Sequence, residues 1–237
     1  MFKKTFAVAG SLAAAVLAFS PLAQAGPLNS ITFNVTGWNA STPGSSSTSS
    51  SQQANPSNTI MTAGNLFVTG TVSGLPNWCV GGVGCVSGHN SFNNFVNNNG
   101  NGGTNNSSFT FWNSAAGNTI LSTGFFGSAT LLKLTFTLAN NNTMGTIVHD
   151  DGISIWNANN SHEFYNSAQP TNAIGTTFDL AAGTYNLYYV EANGAPSQLT
   201  FQNVTEAPEP GALALFGAGL LGCALFIGRR RRMSRSI

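Results

Sequence analysis

The chain has 237 residues, 42% of them hydrophobic and only 6% charged, against roughly 25% charged in an average soluble domain. Its formal balance of +1 hides a division: between Gly26 and Ala207 only Lys133 is basic, against Asp150, Asp151, Glu163, Asp179, Glu191 and Glu206. That excludes nucleic-acid binding through a basic face, and three His with so few carboxylates exclude most acid–base enzymes.

Met1-Phe2-Lys3-Lys4 is a short basic start, followed by an uncharged apolar run to Phe19, the break Ser20-Pro21 and the small-residue box Ala23-Gln24-Ala25. This order predicts a secretory signal peptide over 1–25, cleaved after Ala25. From Gly26 the chain reads as short β runs between turns. Ile31–Val35, Leu66–Val72, Ser108–Trp112, Leu131–Leu138, Ile153–Trp156, Tyr185–Glu191 and Leu199–Val204 are rich in Phe, Tyr, Thr and Val with period-two alternation. No stretch carries a helical stripe, so residues 26–205 are expected to form an all-β, antiparallel sandwich. The Ser-rich stretch 42–58 and the Asn/Gly-rich stretch 90–106 read as flexible loops.

Cys79 and Cys85 enclose Val-Gly-Gly-Val-Gly. In an oxidising compartment this reads as a small disulfide loop; a metal pair is the other reading, with only His89 nearby. His89, His149 and His162 read as solvated, and Trp38, Trp78, Trp112 and Trp156 either stack on sugar rings or pack in the core, with Trp156 expected in the core. No nucleophile elbow, zinc-protease helix or phosphate loop is present, and no spacing pairs Asp151 with Glu163 or Glu191 as glycosidase carboxylates. The chain is therefore expected not to be an enzyme.

One acidic cluster stands out in Val148-His149-Asp150-Asp151-Gly152-Ile153. Two adjacent carboxylates at a turn repel each other unless a cation lies between them, and hard oxygens suit Ca²⁺. An ordinary Asp-Asp-Gly hairpin turn is the alternative. The stretch Ile147–Val204, with its Asp-Asp turn, its Gly183-Thr184-Tyr185 strand of alternating aromatics and its small-residue turn at Asn193-Gly194, resembles the C-terminal half of the protective-antigen-type, flocculin-like β-sandwich. In the adhesin branch of that family, two Asp joined by a cis peptide and an Asn hold Ca²⁺, which chelates sugar hydroxyls. The resemblance thus implies a calcium site at Asp150, Asp151 and Asn193.

Gly211–Ile227 is continuously uncharged, and with Gly228 spans about 27 Å as a helix, enough for a bilayer. Arg229, Arg230, Arg231 and Arg232 follow at once and hold that end in the cytoplasm. Pro208-Glu209-Pro210 precedes the run as an extended, helix-forbidding tripeptide. A Pro-Glu-Pro signal, an apolar helix over 211–228 and an Arg cluster, together 206–237, resemble the PEP-CTERM sorting signal of Gram-negative bacteria. The resemblance implies an exosortase as partner, a membrane-anchored precursor, and a cell-surface or matrix destination among exopolysaccharide. The function expected from the whole is a sorted matrix protein that binds carbohydrate with calcium. The alternatives are a structural matrix or adhesion protein without ligand and, least supported, a hydrolase.

Overall fold

The computed structural model describes residues 26–28, 31–80, 92, 108–111, 126–139, 142–194, 196–206, 217, 219 and 220. Pro27–Glu206 forms one compact unit. The predicted signal peptide, Cys85, Trp112, Pro208-Glu209-Pro210 and Arg229–Arg232 lie outside the described residues, as does the stretch 90–106 apart from Phe92. The expected span 211–228 also lies outside them, apart from Gly217, Gly219 and Leu220, which are helical. Among the described residues no helix is long and apolar enough to cross a membrane.

Among the described residues twelve strands follow in order: β1 (Gly26–Pro27), β2 (Thr32–Ser41), β3 (Leu66–Ser73), β4 (Asn77–Val80), β5 (Ser108–Phe111) and β6 (Ser128–Leu138), then β7 (Thr143–Asp150), β8 (Ile153–Asn157), β9 (Glu163–Ser167), β10 (Ile174–Leu180), β11 (Gly183–Glu191) and β12 (Ser197–Glu206). They make two sheets. One runs β1-β12-β7-β10 with β4 on β12, and the other runs β5-β3-β2-β6-β11-β8-β9. The pairings are antiparallel, for example β11 on β6 with Leu187 opposite Leu134 and β12 on β7 with Phe201 opposite Ile147.

Alternation decides which side chains meet between the sheets. Phe33, Val35, Leu132, Leu134, Phe136, Tyr185, Leu187 and Tyr189 of the larger sheet share one buried cluster with Ile147, Phe178, Leu199 and Phe201 of the smaller. Aromatic rings bridge the layers, Phe33 edge-on to Phe201 with centroids 6.0 Å apart and Trp78 edge-on to Tyr189 at 5.9 Å. Each such ring removes a large apolar area from water, worth about 2–3 kcal/mol against exposure.

The larger sheet is also covered on its outer face. Ala54, Ile60, Leu131, Tyr188 and Val190 form a second buried cluster there, with Trp38, Met61 and Trp156 packed at its border. The cover is the stretch expected as a flexible loop over 42–58, which instead folds against the sheet. Asn58 is buried; its amide donates to the carbonyls of Ser51 (3.2 Å) and Gln53 (2.7 Å), and its Oδ1 accepts from the Ile60 N–H (2.9 Å). Gln52 donates to Thr42 Oγ1 at 2.8 Å, and the Ala54 N–H donates to the Ala168 carbonyl at 2.9 Å. Side-chain amides satisfy the backbone here where a strand ladder does not, which lets an irregular segment lie buried.

Candidate functional site

The acidic turn joins β7 of the smaller sheet to β8 of the larger. It is therefore a crossing between sheets and not the hairpin turn that Asp-Asp-Gly alone allows. Gly152 is required at this crossing: a Cβ there would run into the Ala168 carbonyl. The Gly152 carbonyl in turn accepts the Val190 N–H at 3.0 Å. The peptide bond between Asp150 and Asp151 is cis.

Both carboxylates are buried, with Asp150 3% and Asp151 0% exposed. Asp151 gathers three backbone donors from two separate loops. Its Oδ2 accepts from the N–H groups of Ala192 (2.7 Å) and Asn193 (2.9 Å), and its Oδ1 accepts from Thr171 N–H (3.2 Å). Asn193, half-buried, lies at the same junction and donates from Nδ2 to the Thr171 carbonyl at 3.4 Å. Asp150 hydrogen-bonds the Asp151 side chain and accepts from the Ala173 backbone. The three residues that the sequence singles out are thus brought together where β7, the 168–173 segment and the end of β11 converge.

Burial first, and then the charge of Asp151, push the Asp150 carboxyl up to about 7. Burial raises Asp151 too, against the pull of the Ala192, Asn193 and Thr171 donors. Two carboxylates this close, out of water, cannot both be charged without a counter-charge. A third acid lies close by. Glu191 is 1% exposed, and burial, followed by the Asp151 charge, holds it well above the usual carboxylate range. Tyr189 donates its hydroxyl to the Asp150 carbonyl at 2.6 Å and sits 3.2 Å from Glu191 Oε2 and 2.9 Å from Ser197 Oγ. His149, expected as solvated, is fully buried: its Nδ1 donates to the Asp151 carbonyl at 2.5 Å, leaving Nε2 to accept from Thr176 Oγ1 at 2.8 Å. That pairing fixes the tautomer, and burial lowers its pKa. The sequence sets His149 beside the acidic pair only as a solvated ring and Glu191 only as a glycosidase partner without supporting spacing, and it does not bring Tyr189 or Ser197 to this site. Only the crossing between sheets gathers the four.

Among the described residues no three His, Cys, Asp or Glu side chains are arranged to hold a metal. A calcium ion here would draw on the Asp150 carboxylate, the second lone pair of Asp151 Oδ1 and the amide oxygen of Asn193. These are hard oxygens of the kind Ca²⁺ takes, and they make up part of the six to eight that it gathers. Elsewhere, Cys79 is disulfide-bonded. His162 stacks edge-on against Phe164 at the surface, with ring centroids 4.7 Å apart.

The sorting segment is matched independently: residues 206–232 fit the PEP-CTERM protein-sorting motif. No curated protein and no solved structure matches the chain. The motif supports an exported exosortase substrate made as a membrane-anchored precursor.

Proposed function

We propose that this chain is a non-enzymatic component of the extracellular polysaccharide matrix of a Gram-negative bacterium, carried there by exosortase sorting, and that its folded unit binds carbohydrate with the help of calcium. The sorting motif at 206–232 supports the route. The buried Asp150–Asp151 pair carries the calcium reading: two acidic groups are held in contact, out of water, with Asn193 beside them. When bound, calcium would supply the positive charge that lets both carboxylates stay ionised. It would also brace the 168–173 segment against the end of β11, because Thr171 is bonded to both Asp151 and Asn193. Carbohydrate hydroxyls would complete the oxygen shell of the ion from the side of Asn193, the half-buried member of the set.

A second reading has its own observation in favour. Asp151 is already satisfied by three N–H groups, so the pair can be a purely structural tie in a matrix protein without ligand. Affinity electrophoresis of the full chain, in detergent, through gels cast with the polysaccharide of the producing organism separates the two. The proposal expects retardation with calcium that EDTA abolishes. Equal mobility in both conditions leaves the structural reading.

A further inference from the structure

The outer face of the larger sheet carries a cavity of about 290 Å³ that no reading so far uses. Its floor is the face of β8 and β9, where Trp156 stands directly opposite Glu163. One wall is the cover segment with Gln53 and Asn55, and the other is the turn after β9 with Gln169; Asn166 lies between. The Ala54–Ala168 backbone hydrogen bond fastens the two walls together.

Three properties narrow what this cavity takes. The Trp156 indole is half-buried rather than in the core, and its Nε1 is held by Ser154 Oγ at 2.8 Å, which fixes the ring. Ser154 in turn donates to the Ala54 carbonyl of the cover. Around this flat apolar face stand amides that both donate and accept, the pattern of a small site with few polar groups fixing orientation. Glu163 is the second property. Its Oε2 accepts from Asn166 Nδ2 at 3.1 Å, while Oε1 is buried with no hydrogen-bond partner. A buried oxygen without a donor costs about 1–3 kcal/mol, and a small turn of the Glu163 carboxylate toward the cavity would let a ligand hydroxyl relieve it. The third is charge. Among the described residues no Lys, Arg or His lines the cavity, so an acidic sugar would meet Glu163 with none of them to offset the repulsion.

We propose that this cavity is a calcium-independent subsite for a single neutral pyranose ring. The ring lays its C–H face on Trp156, donates a hydroxyl to Glu163 Oε1, and exchanges hydrogen bonds with Asn55, Asn166 and Gln169. The volume suits one ring, so the unit would be gripped at a chain end or a branch. The site shares only its ligand class with the calcium reading, and none of its lining residues is Asp150, Asp151 or Asn193.

The test is calorimetric titration of the full chain, in detergent and EDTA, with cellohexaose, laminarihexaose, maltohexaose and, as the acidic arm, hexagalacturonate. At least one neutral hexasaccharide should bind in EDTA, with hexagalacturonate at least tenfold weaker. Trp156→Ala should weaken that binding tenfold or more. Glu163→Gln, which alters no packing, should weaken it about threefold to tenfold, and a circular-dichroism melt unchanged from wild type shows the fold intact. Binding seen only with calcium overturns the subsite and leaves the calcium reading standing. Unchanged affinity in Glu163→Gln and Trp156→Ala, equal or tighter binding of hexagalacturonate, or no neutral hexasaccharide bound in EDTA also overturns it.

Discussion

The two acidic residues of the crossing should respond oppositely to the same substitution. In Asp151→Asn the amide oxygen can keep the donors of Ala192 and Asn193, now 2.7 and 2.9 Å from Oδ2. The Nδ2 group then faces the Thr171 N–H, donor against donor, in a site with no solvent. Losing a hydrogen bond to a charged group costs about 1.5–3 kcal/mol. Relief of repulsion offsets little of this, because Asp150, pushed up to about 7, is largely protonated below that pH. The net loss is about 2 kcal/mol, or roughly 4–8 °C for a unit of this size. Asp150→Asn, by contrast, keeps an oxygen for the Ala173 N–H and offers Asp151 a permanent donor. It should leave stability unchanged or raise it. Thermal melts of both variants in EDTA at pH 6.5 decide the matter. The reasoning fails if Asp151→Asn melts with wild type or if Asp150→Asn is the less stable of the two.

Other expectations follow from the same coordinates. In EDTA, Asp150, Asp151 and Glu191 are all raised above their unfolded values, so the native state holds extra protons and stability should fall as pH rises from 5 to 8. The lowered imidazole of His149 opposes this only below its ordinary value of 6.5; a higher urea midpoint at pH 8 than at pH 6.5 contradicts the assignment. Gly152→Ala should cost about 2–3 kcal/mol by forcing the turn off Ala168, and a wild-type melting temperature would show the approach to be slack. Asn58→Ala removes three hydrogen bonds beneath the cover and should expose residues 42–65 to amide exchange before the sheets open; unaltered protection there counts against the cover as described. Glu209→Ala should leave the precursor unprocessed in cells that have an exosortase, read as intact mass, while an unchanged cleavage product would remove the Pro-Glu-Pro signal from the account.

Most of the sheet framework could be read from alternation because burial alternates too. In β2, Thr32 and Asn34 face water while Phe33 and Val35 face the core. β11 and β6 could be placed but not assigned faces: Tyr188, Val190 and Leu131 lie on the outer side, buried by a cover the sequence does not announce. That cover escaped detection because Gln52 and Asn58 bury themselves through hydrogen bonds, leaving no apolar period to see. β1 and β4, of two and four residues, are too short to show a period, and β9 and β10 are hidden for a related reason. Glu163–Ser167 alternates only between half-buried and exposed, and Ile174 at the start of β10 is 41% exposed. At the site, the Asp150–Asp151 dipeptide was visible as charge density in a chain almost without charge. Glu191, Tyr189 and His149 were not, since a strand-end residue gains its partners only when the chain crosses from one sheet to the other. Alternation puts Trp156 on the outer face of β8, opposite to Ile153 and Ile155 in the core, so it borders a cavity and not the core as the sequence predicts.

The calcium reading stands on whether the Asp150–Asp151 pair holds an ion, and isothermal titration of Ca²⁺ into the full chain at pH 6.5, where Asp150 is still largely protonated, measures that directly. The account predicts a saturable heat with one ion per chain, proton release on binding as Asp150 ionises, and loss of that heat in Asp150→Asn without loss of fold. No heat at millimolar Ca²⁺, or the same heat in Asp150→Asn, would contradict it.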